Sequence, residues 1–271
     1  MVRLFGFLAG LVFCTALLMA LIFTPRGATA HPEAAFHQHP RAAHLASEGA
    51  FGHFDRAQLQ RGLKVYKEVC SACHGLSLVA LRDLSALGYD ESQVKALSAQ
   101  FQVPGINPDT GEPATRPGTP VDHFPSPYPN EIAARAANNN ALPPDLSLIT
   151  KAREGGADYV YSLLTGYRPV PANLPRELRP GTGLHYNPWF ATLNLAMAPP
   201  LTSEGQVTFD DGTRATVDQM AKDVSAFLVW TAEPKLENRL RTGWAVLAFL
   251  IALTTLAYLS YRTIWADKKK H

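Results

Sequence analysis

The stretch VCSACHGL, residues 69–76, sets two thiols three residues apart with an imidazole directly after the second. Three chemistries use such a spacing. Two separated pairs of Cys or His ligands hold structural zinc. A C-x-x-C at a strand-to-helix junction forms a thiol redox pair, and C-x-x-C-H is the attachment signature of a c-type haem, whose histidine becomes an axial iron ligand. The chain has only three cysteines, Cys14, Cys70 and Cys73, and no H-x-x-x-H-like pair follows Cys73 at zinc-finger spacing. The residues before Cys70 read as helix, not strand. Counting therefore favours one haem c, held by Cys70 and Cys73 and ligated by His74.

The other face of such an iron needs methionine, histidine or nothing. Beyond residue 30 the chain has two methionines. Met220 sits on the apolar stripe of a helix, the place of a core residue. Met197 lies in NLAMAPPL, where Pro199 and Pro200 fix φ and stiffen a loop. His123 and His185 are the remaining alternatives, each equally at home as an ordinary hydrogen-bonding residue.

Two helices must position these groups. In FDRAQLQRGLKVYKEVCSACH, Leu59, Gly62, Leu63 and Tyr66 share one helical face, with Asp55 as N-cap. A second helix opens at Thr216 with a Thr216/Gln219 capping box, keeps Val217, Met220, Ala221, Val224, Phe227 and Leu228 at helical spacing, and stops before Pro234. One helix leading into C-x-x-C-H and another closing the domain match the class I cytochrome c plan, so the expected fold is mainly α with long irregular loops. Residues 104–144 hold ten prolines, yet Ile106, Phe124, Tyr128 and Ile132 interleave with them, as in an ordered wrap around a cofactor. EIAARAANN and GGADYVYSLLTGY read as short helices, and QVTFDDGTRAT as a hairpin around an Asp-Gly turn.

The ends carry address signals. Residues 1–30 combine Arg3, an apolar run and a terminal ATA, the pattern of a signal peptide, with an uncleaved anchor as the alternative. Residues 242–261 contain no charge, and twenty helical residues span about 30 Å, the thickness of a bilayer's hydrocarbon core. Arg262 and Lys268–Lys270 keep the tail inside. The expected organisation is a signal peptide (1–30), an external haem domain (31–238), a transmembrane anchor (239–262) and a cytoplasmic tail (263–271). Residues 31–238 hold 17 Lys+Arg against 22 Asp+Glu, a net of −5, while 239–271 carry +5. An acidic domain can steer a basic partner, or can simply be soluble.

CSACH, FPSPYPNEIAARAANNNALPPDLS, GGADYVYSLLTGY, AMAPPL, DDGTRATVDQMAKDVSAFLVWTAEP and the single C-terminal span, in this order, resemble the cytochrome c1 family, the haem subunits of the cytochrome bc1 complex (ubiquinol–cytochrome c reductase). The resemblance implies thioether bonds from Cys70 and Cys73, iron ligation by His74 and Met197, and propionate contacts from Arg153 and Tyr159, which would otherwise be a solvated charge and a core aromatic. It implies an electron-transfer subunit without substrate chemistry of its own, in a dimeric complex in a bacterial inner membrane with its haem domain in the periplasm. Cytochrome b and the Rieske iron–sulfur protein would be its partners, and a soluble or membrane-anchored cytochrome c its acceptor; no nucleic acid is involved. The segment RPVPANLPRELRPGTGLHYNPWFATLNL before Met197 looks longer than in mitochondrial members. Two other functions share C-x-x-C-H: a haem catalyst or gas sensor with a displaceable sixth ligand, and a free anchored shuttle.

Overall fold

In the structure, a computed structural model, residues 2–23, 32–266 and 268 are described. The chain divides into two units, 1–36 and 37–271. The first contains α1 (Val2–Phe23), 22 residues long and apolar enough to cross a membrane, a property that signal sequences share. The expected cleavage boundary at Ala30 and His31 lies outside the described residues, as do Lys269 and Lys270 of the basic tail.

The second unit opens with α2 (Arg56–Glu68), where the Asp55 carboxylate accepts the N–H groups of Ala57 and Gln58. A 3-10 segment at Leu81–Leu87, α3 (Glu91–Ser98) and an antiparallel hairpin of β1 (Gln102–Ile106) and β2 (Pro113–Pro117) follow. Then come α4 (Glu131–Ala137), α5 (Ile149–Ala152), α6 (Gly156–Leu164) and the two-residue strands β3 (His185–Tyr186) and β4 (Asn194–Leu195). The domain closes with α7 (Val217–Ala232), and three residues later α8 (Leu236–Trp265) begins.

The core is the crossing of α2 and α7. Leu59, Leu63 and Tyr66 of α2 and Met220, Val224 and Phe227 of α7 are all buried, and each contributes about 1.5–3 kcal/mol by leaving water. Gly62 explains how close the helices come: a Cβ there would stand 2.1 Å from the Asp223 carbonyl oxygen and 2.6 Å from the Phe227 Cβ. At the same crossing the wholly buried Asp223 carboxylate accepts Arg61 Nε (2.8 Å), Gln219 Nε2 (2.8 Å) and Gln58 Nε2 (3.1 Å), so the charge is paired rather than orphaned. An aromatic chain continues the core, Phe101 on Phe124, Phe124 on Tyr66, Tyr66 on Phe227 and Phe227 on Trp230, with centroids 5.0–5.8 Å apart. Phe124 reaches it from the proline-rich stretch, whereas Ile106 and Ile132, expected to join it in a wrap, are exposed.

Three local expectations change. The hairpin expected within residues 206–216 is only a turn: Gly205 N–H bonds the Ala215 carbonyl, but no ladder forms, and Asp210 and Asp211 turn to Lys64 and Arg61 instead. The real hairpin is 102–117, hidden from a period-2 reading by Pro104, Pro113 and Pro117. The capping box at Thr216 is half made. Thr216 Oγ1 accepts Gln219 N–H, but the Gln219 side chain goes to Asp223. The long apolar helix α8 runs from Leu236 to Trp265, past both ends of the 239–262 segment expected to span a membrane, and its first residue, Leu236, is buried in the domain core.

Candidate functional site

Where α2 ends at Val69, the chain tightens into a 3-10 turn over Cys70–Ala72, and the Cys70 carbonyl accepts both the Cys73 and the His74 N–H, at 3.1 and 2.9 Å. Cys70 and Cys73 remain separate thiols, half-buried. Burial, reinforced by Cys73, pushes the Cys70 thiol up to about 12. His74 Nδ1 lies 2.7 Å from the Pro144 carbonyl oxygen. That oxygen can only accept, so Nδ1 carries the proton and Nε2 keeps its lone pair for a metal. Burial pushes the imidazole below its ordinary range, against the opposing pull of Pro144 and Asp145, which keeps the ring neutral near pH 7. The His74 carbonyl in turn accepts Tyr66 Oη–H at 2.9 Å, tying the motif to the core.

The strand of chain facing the motif is clamped to it. Leu146 N–H bonds the Gly75 carbonyl, and the Asp145 carboxylate accepts Ser77 N–H (2.8 Å) and Ser147 N–H (2.9 Å). From there α5 leads to Arg153. A turn through Gly155 and Gly156, both at positive φ, leads into α6, where burial pushes the Tyr159 phenol up and the nearby Arg153 guanidinium opposes that push.

Met197 is held from a distance. Tyr167 Oη–H donates to the Met197 carbonyl at 3.0 Å, and the Tyr167 phenol, pushed up by burial and by Tyr159, stays protonated. The long segment before Met197 is pinned by Trp189, buried with Arg41 and Arg168 each 4.8 Å from its ring, and by its Nε1–H on the His39 carbonyl. Gly166 is what lets Trp189 in: a Cβ there would meet the indole at 2.3 Å. Buried Asn187 donates to the Leu163 carbonyl, and Leu193 sits at φ 63°, a strained conformation for a leucine that its full burial enforces.

The predicted residues thus form two groups, Cys70, Cys73 and His74 on one side and Arg153, Tyr159 and Met197 on the other. No hydrogen bond joins the groups directly among the described residues; residues 144–167 connect them. Met220 lies fully buried in α7, as its spacing implied. Sequence reading passed over Pro144, Asp145 and Tyr167 as site residues, although all three stand inside the quoted motifs ALPPDLS and LLTGY. It placed Tyr66 only in the core.

The donor set fits a covalent haem. It offers two unpaired thiols, a neutral imidazole with a free Nε2, a thioether, and in Arg153 a guanidinium that forms no ion pair among the described residues. No cluster of three or more His, Cys, Asp or Glu gathers as an ion site among those residues, which leaves the zinc reading without its second half.

The model of the Cytochrome C1 family matches residues 45–268. The chain belongs to the cytochrome c1 family. It is 47% identical over 234 residues to the cytochrome c1 of Rhodospirillum rubrum, covering 82% of this chain and 86% of that one. It is 42% identical over 266 residues to the Candida albicans "cytochrome b-c1 complex catalytic subunit, mitochondrial", covering 97% and 89%. A Bradyrhizobium diazoefficiens protein named "cytochrome b/c1" is 47% identical over 240 residues; the match covers 81% of this chain but only 34% of that longer protein. In a cytochrome c1, the C-x-x-C-H at residues 70–74 is the site of a haem c, and the mainly helical domain with one long apolar C-terminal helix is the fold of the class.

Proposed function

We propose that this chain is the electron-transfer subunit of a quinol–cytochrome c oxidoreductase, taking one electron from a Rieske iron–sulfur protein and giving it to a cytochrome c. Cys70 and Cys73 would bond the macrocycle, His74 Nε2 and the Met197 sulfur would ligate the iron, and Arg153 with Tyr159 would bind the propionates. A haem held in this way supplies a one-electron Fe(III)/Fe(II) couple, with Met/His ligation raising its potential. The observation that carries this reading is the His74 Nδ1–Pro144 bond, which aims a neutral Nε2 beside the two thiols in a chain of this family. With both axial positions filled by side chains, no site remains for a substrate, so the residues here bind, orient and exclude water. No general acid or base is required.

The organisation inferred with it is a signal peptide (1–30), a periplasmic domain (31–238), an anchor (239–262) and a cytoplasmic tail (263–271), in a bacterial inner membrane beside cytochrome b, in a complex that is a dimer. The two apolar helices and the positive charges after residue 261 support that arrangement. The net of −5 on residues 31–238 supports steering of a basic cytochrome c, soluble or anchored.

Met197→Leu tests the assignment. The swap keeps volume and apolarity and costs less than about 1.5 kcal/mol in packing. The expected result is haem still attached, loss of the methionine–iron charge-transfer band, carbon monoxide binding to the reduced protein, and near-complete loss of quinol-to-cytochrome c turnover. Met220→Leu is the control and leaves spectrum and turnover unchanged. Loss of the band in Met220→Leu instead would overturn the assignment, and ready carbon monoxide binding by the unaltered protein would favour a catalyst or sensor.

A further inference from the structure

Phe51 takes no part in the proposed haem site. In the loop SEGAFGHF, residues 47–54, it is 80% exposed while its neighbours Gly52 and Phe54 are buried. The loop is built to present it: Gly52 N–H bonds the Gly49 carbonyl, and His53 N–H bonds the Ala46 carbonyl. Its ring lies flat on Trp244 of α8, centroids 5.1 Å apart and planes 6° from parallel. Trp244 Nε1–H donates to the Ala50 carbonyl at 2.9 Å, so the polar edge of the indole is satisfied by the loop itself. Two further contacts fasten the same stretch to the start of α8, Phe54 N–H on Glu237 Oε1 (2.7 Å) and the Arg56–Glu237 ion pair (2.8 Å).

The depth of this loop follows from the helix. The uncharged run of α8 begins at Thr242, directly after Arg241, and ends at Tyr261, directly before Arg262. At 1.5 Å per residue, Trp244 lies about 3 Å inside the external limit of that run. Phe51, its ring centroid 5.1 Å from that of Trp244, lies within about 5 Å of that level. Aromatic side chains favour this layer of a bilayer, and Arg241, which makes no ion pair among the described residues, stands where headgroup phosphates lie.

We propose that the loop 47–53 is a second membrane contact, with Phe51 seated in the interfacial layer of the bilayer against phospholipid, beside the external end of α8. The proposal rests on the reading of α8 as a membrane span. A span alone is a pivot about which a domain can tilt; a second point of contact, clamped to the first through Glu237 and Trp244, holds the haem domain at one inclination to the membrane. That separates this chain from a shuttle on a loose tether.

The test is a nitroxide label on Phe51→Cys in the full chain, with the subunits that purify with it, reconstituted in phosphatidylcholine–phosphatidylglycerol vesicles. A Cys14→Ser background leaves the introduced thiol as this chain's one cysteine outside the C-x-x-C-H motif, and the same preparation without the introduced cysteine gives the label background of the other subunits. A second label at Ala252→Cys reports on the middle of the span, and Ala50→Cys stands in should Phe51→Cys fail to accumulate. Collision with oxygen and with a water-soluble nickel chelate gives depth, calibrated with labelled lipids in the same vesicles. Expected is a position-51 label at or below the phosphate level, several-fold less accessible to nickel than to oxygen. A label at 51 that nickel reaches freely, with the label at 252 deep in the bilayer, overturns the proposal and leaves the span intact. Nickel access at 252 overturns the span and the proposal together. An immobilised label at 51 shielded from both reagents means that a protein partner covers Phe51, which also overturns it.

Discussion

The two halves of the proposed haem site are built in opposite ways. Cys70, Cys73 and His74 follow one another on a turn that continues α2, and their geometry is local: two N–H groups on the Cys70 carbonyl, with Tyr66 and Pro144 as braces. Met197 is positioned by contacts with distant parts of the chain, directly from Tyr167 and, through the segment that delivers it, from Asn187 on Leu163 and Trp189 on His39. The first side inherits its rigidity from a packed helix crossing. The second is a strap placed by separate hydrogen bonds and by a few buried side chains of its own, Trp189, Leu193 and Leu195. Stability and ligand chemistry should therefore come apart: damage to the crossing lowers the melting point without altering the haem spectrum, and damage to the strap does the reverse.

Asp223→Leu strikes the crossing hardest. It strips Arg61, Gln58 and Gln219 of their shared acceptor, leaving Arg61 only the exposed Asp211. Removing one partner of a buried pair costs about 3 kcal/mol here, near the low end because Asp211 remains. For a domain of this size that lowers the thermal midpoint by roughly 6–12 °C. Calorimetry or circular dichroism measures it, and the methionine–iron band should be unchanged below the transition. A drop under about 1 kcal/mol would show that the pair is dispensable to the crossing.

Tyr167→Phe strikes the strap. The lost hydrogen bond to the Met197 carbonyl is worth about 1 kcal/mol, which changes the population with the methionine detached about fivefold. Carbon monoxide uptake by the reduced protein should rise accordingly while the melting point barely moves. If Tyr167→Phe instead melts early with an intact band, the strap is part of the core and the contrast between the two sides fails.

The smallest effect is on acid stability, and it belongs to the seam between the sides. Burial pushes the Asp145 carboxyl up, but hydrogen bonds from Ser147 and Ser77 outweigh it and hold it below the ordinary carboxylate range. A folded value below the unfolded one stabilises the fold at pH above about 4, and the contribution is lost as pH falls through the folded value. Asp145→Asn should therefore reduce stability near pH 7 and flatten the acid limb below about pH 4, seen in denaturant midpoints against pH. An unchanged acid limb would mean that other carboxylates govern it.

Much of this was legible in the residues. Periodicity showed α2 and α7 because each buries one face, and Asp55 and Thr216 marked their starts because a helix leaves N–H groups for such side chains to cap. The C-x-x-C-H turn was legible because its chemistry needs its residues adjacent. The proline-rich stretch hid the 102–117 hairpin, since a two-stranded ribbon with an exposed β2 has no buried face to impose alternation. The Asp-Gly turn near residue 211 pointed to a hairpin that does not form, and its two aspartates pair with Lys64 and Arg61 outside the segment.

By itself the sequence determined the helices, the thiol and imidazole donors and the uncharged span. Each of these is written in neighbouring residues or in one period. Only the tertiary structure decided which carbonyl sets the His74 tautomer, which hydroxyl holds the Met197 backbone, that Gly62 faces Asp223 and Phe227, and that Phe51 lies on Trp244. Those pairings join residues 30 to 193 positions apart. Hydrogen bonds and ring contacts over such separations depend on where the whole core brings the chain together, and no local pattern encodes that.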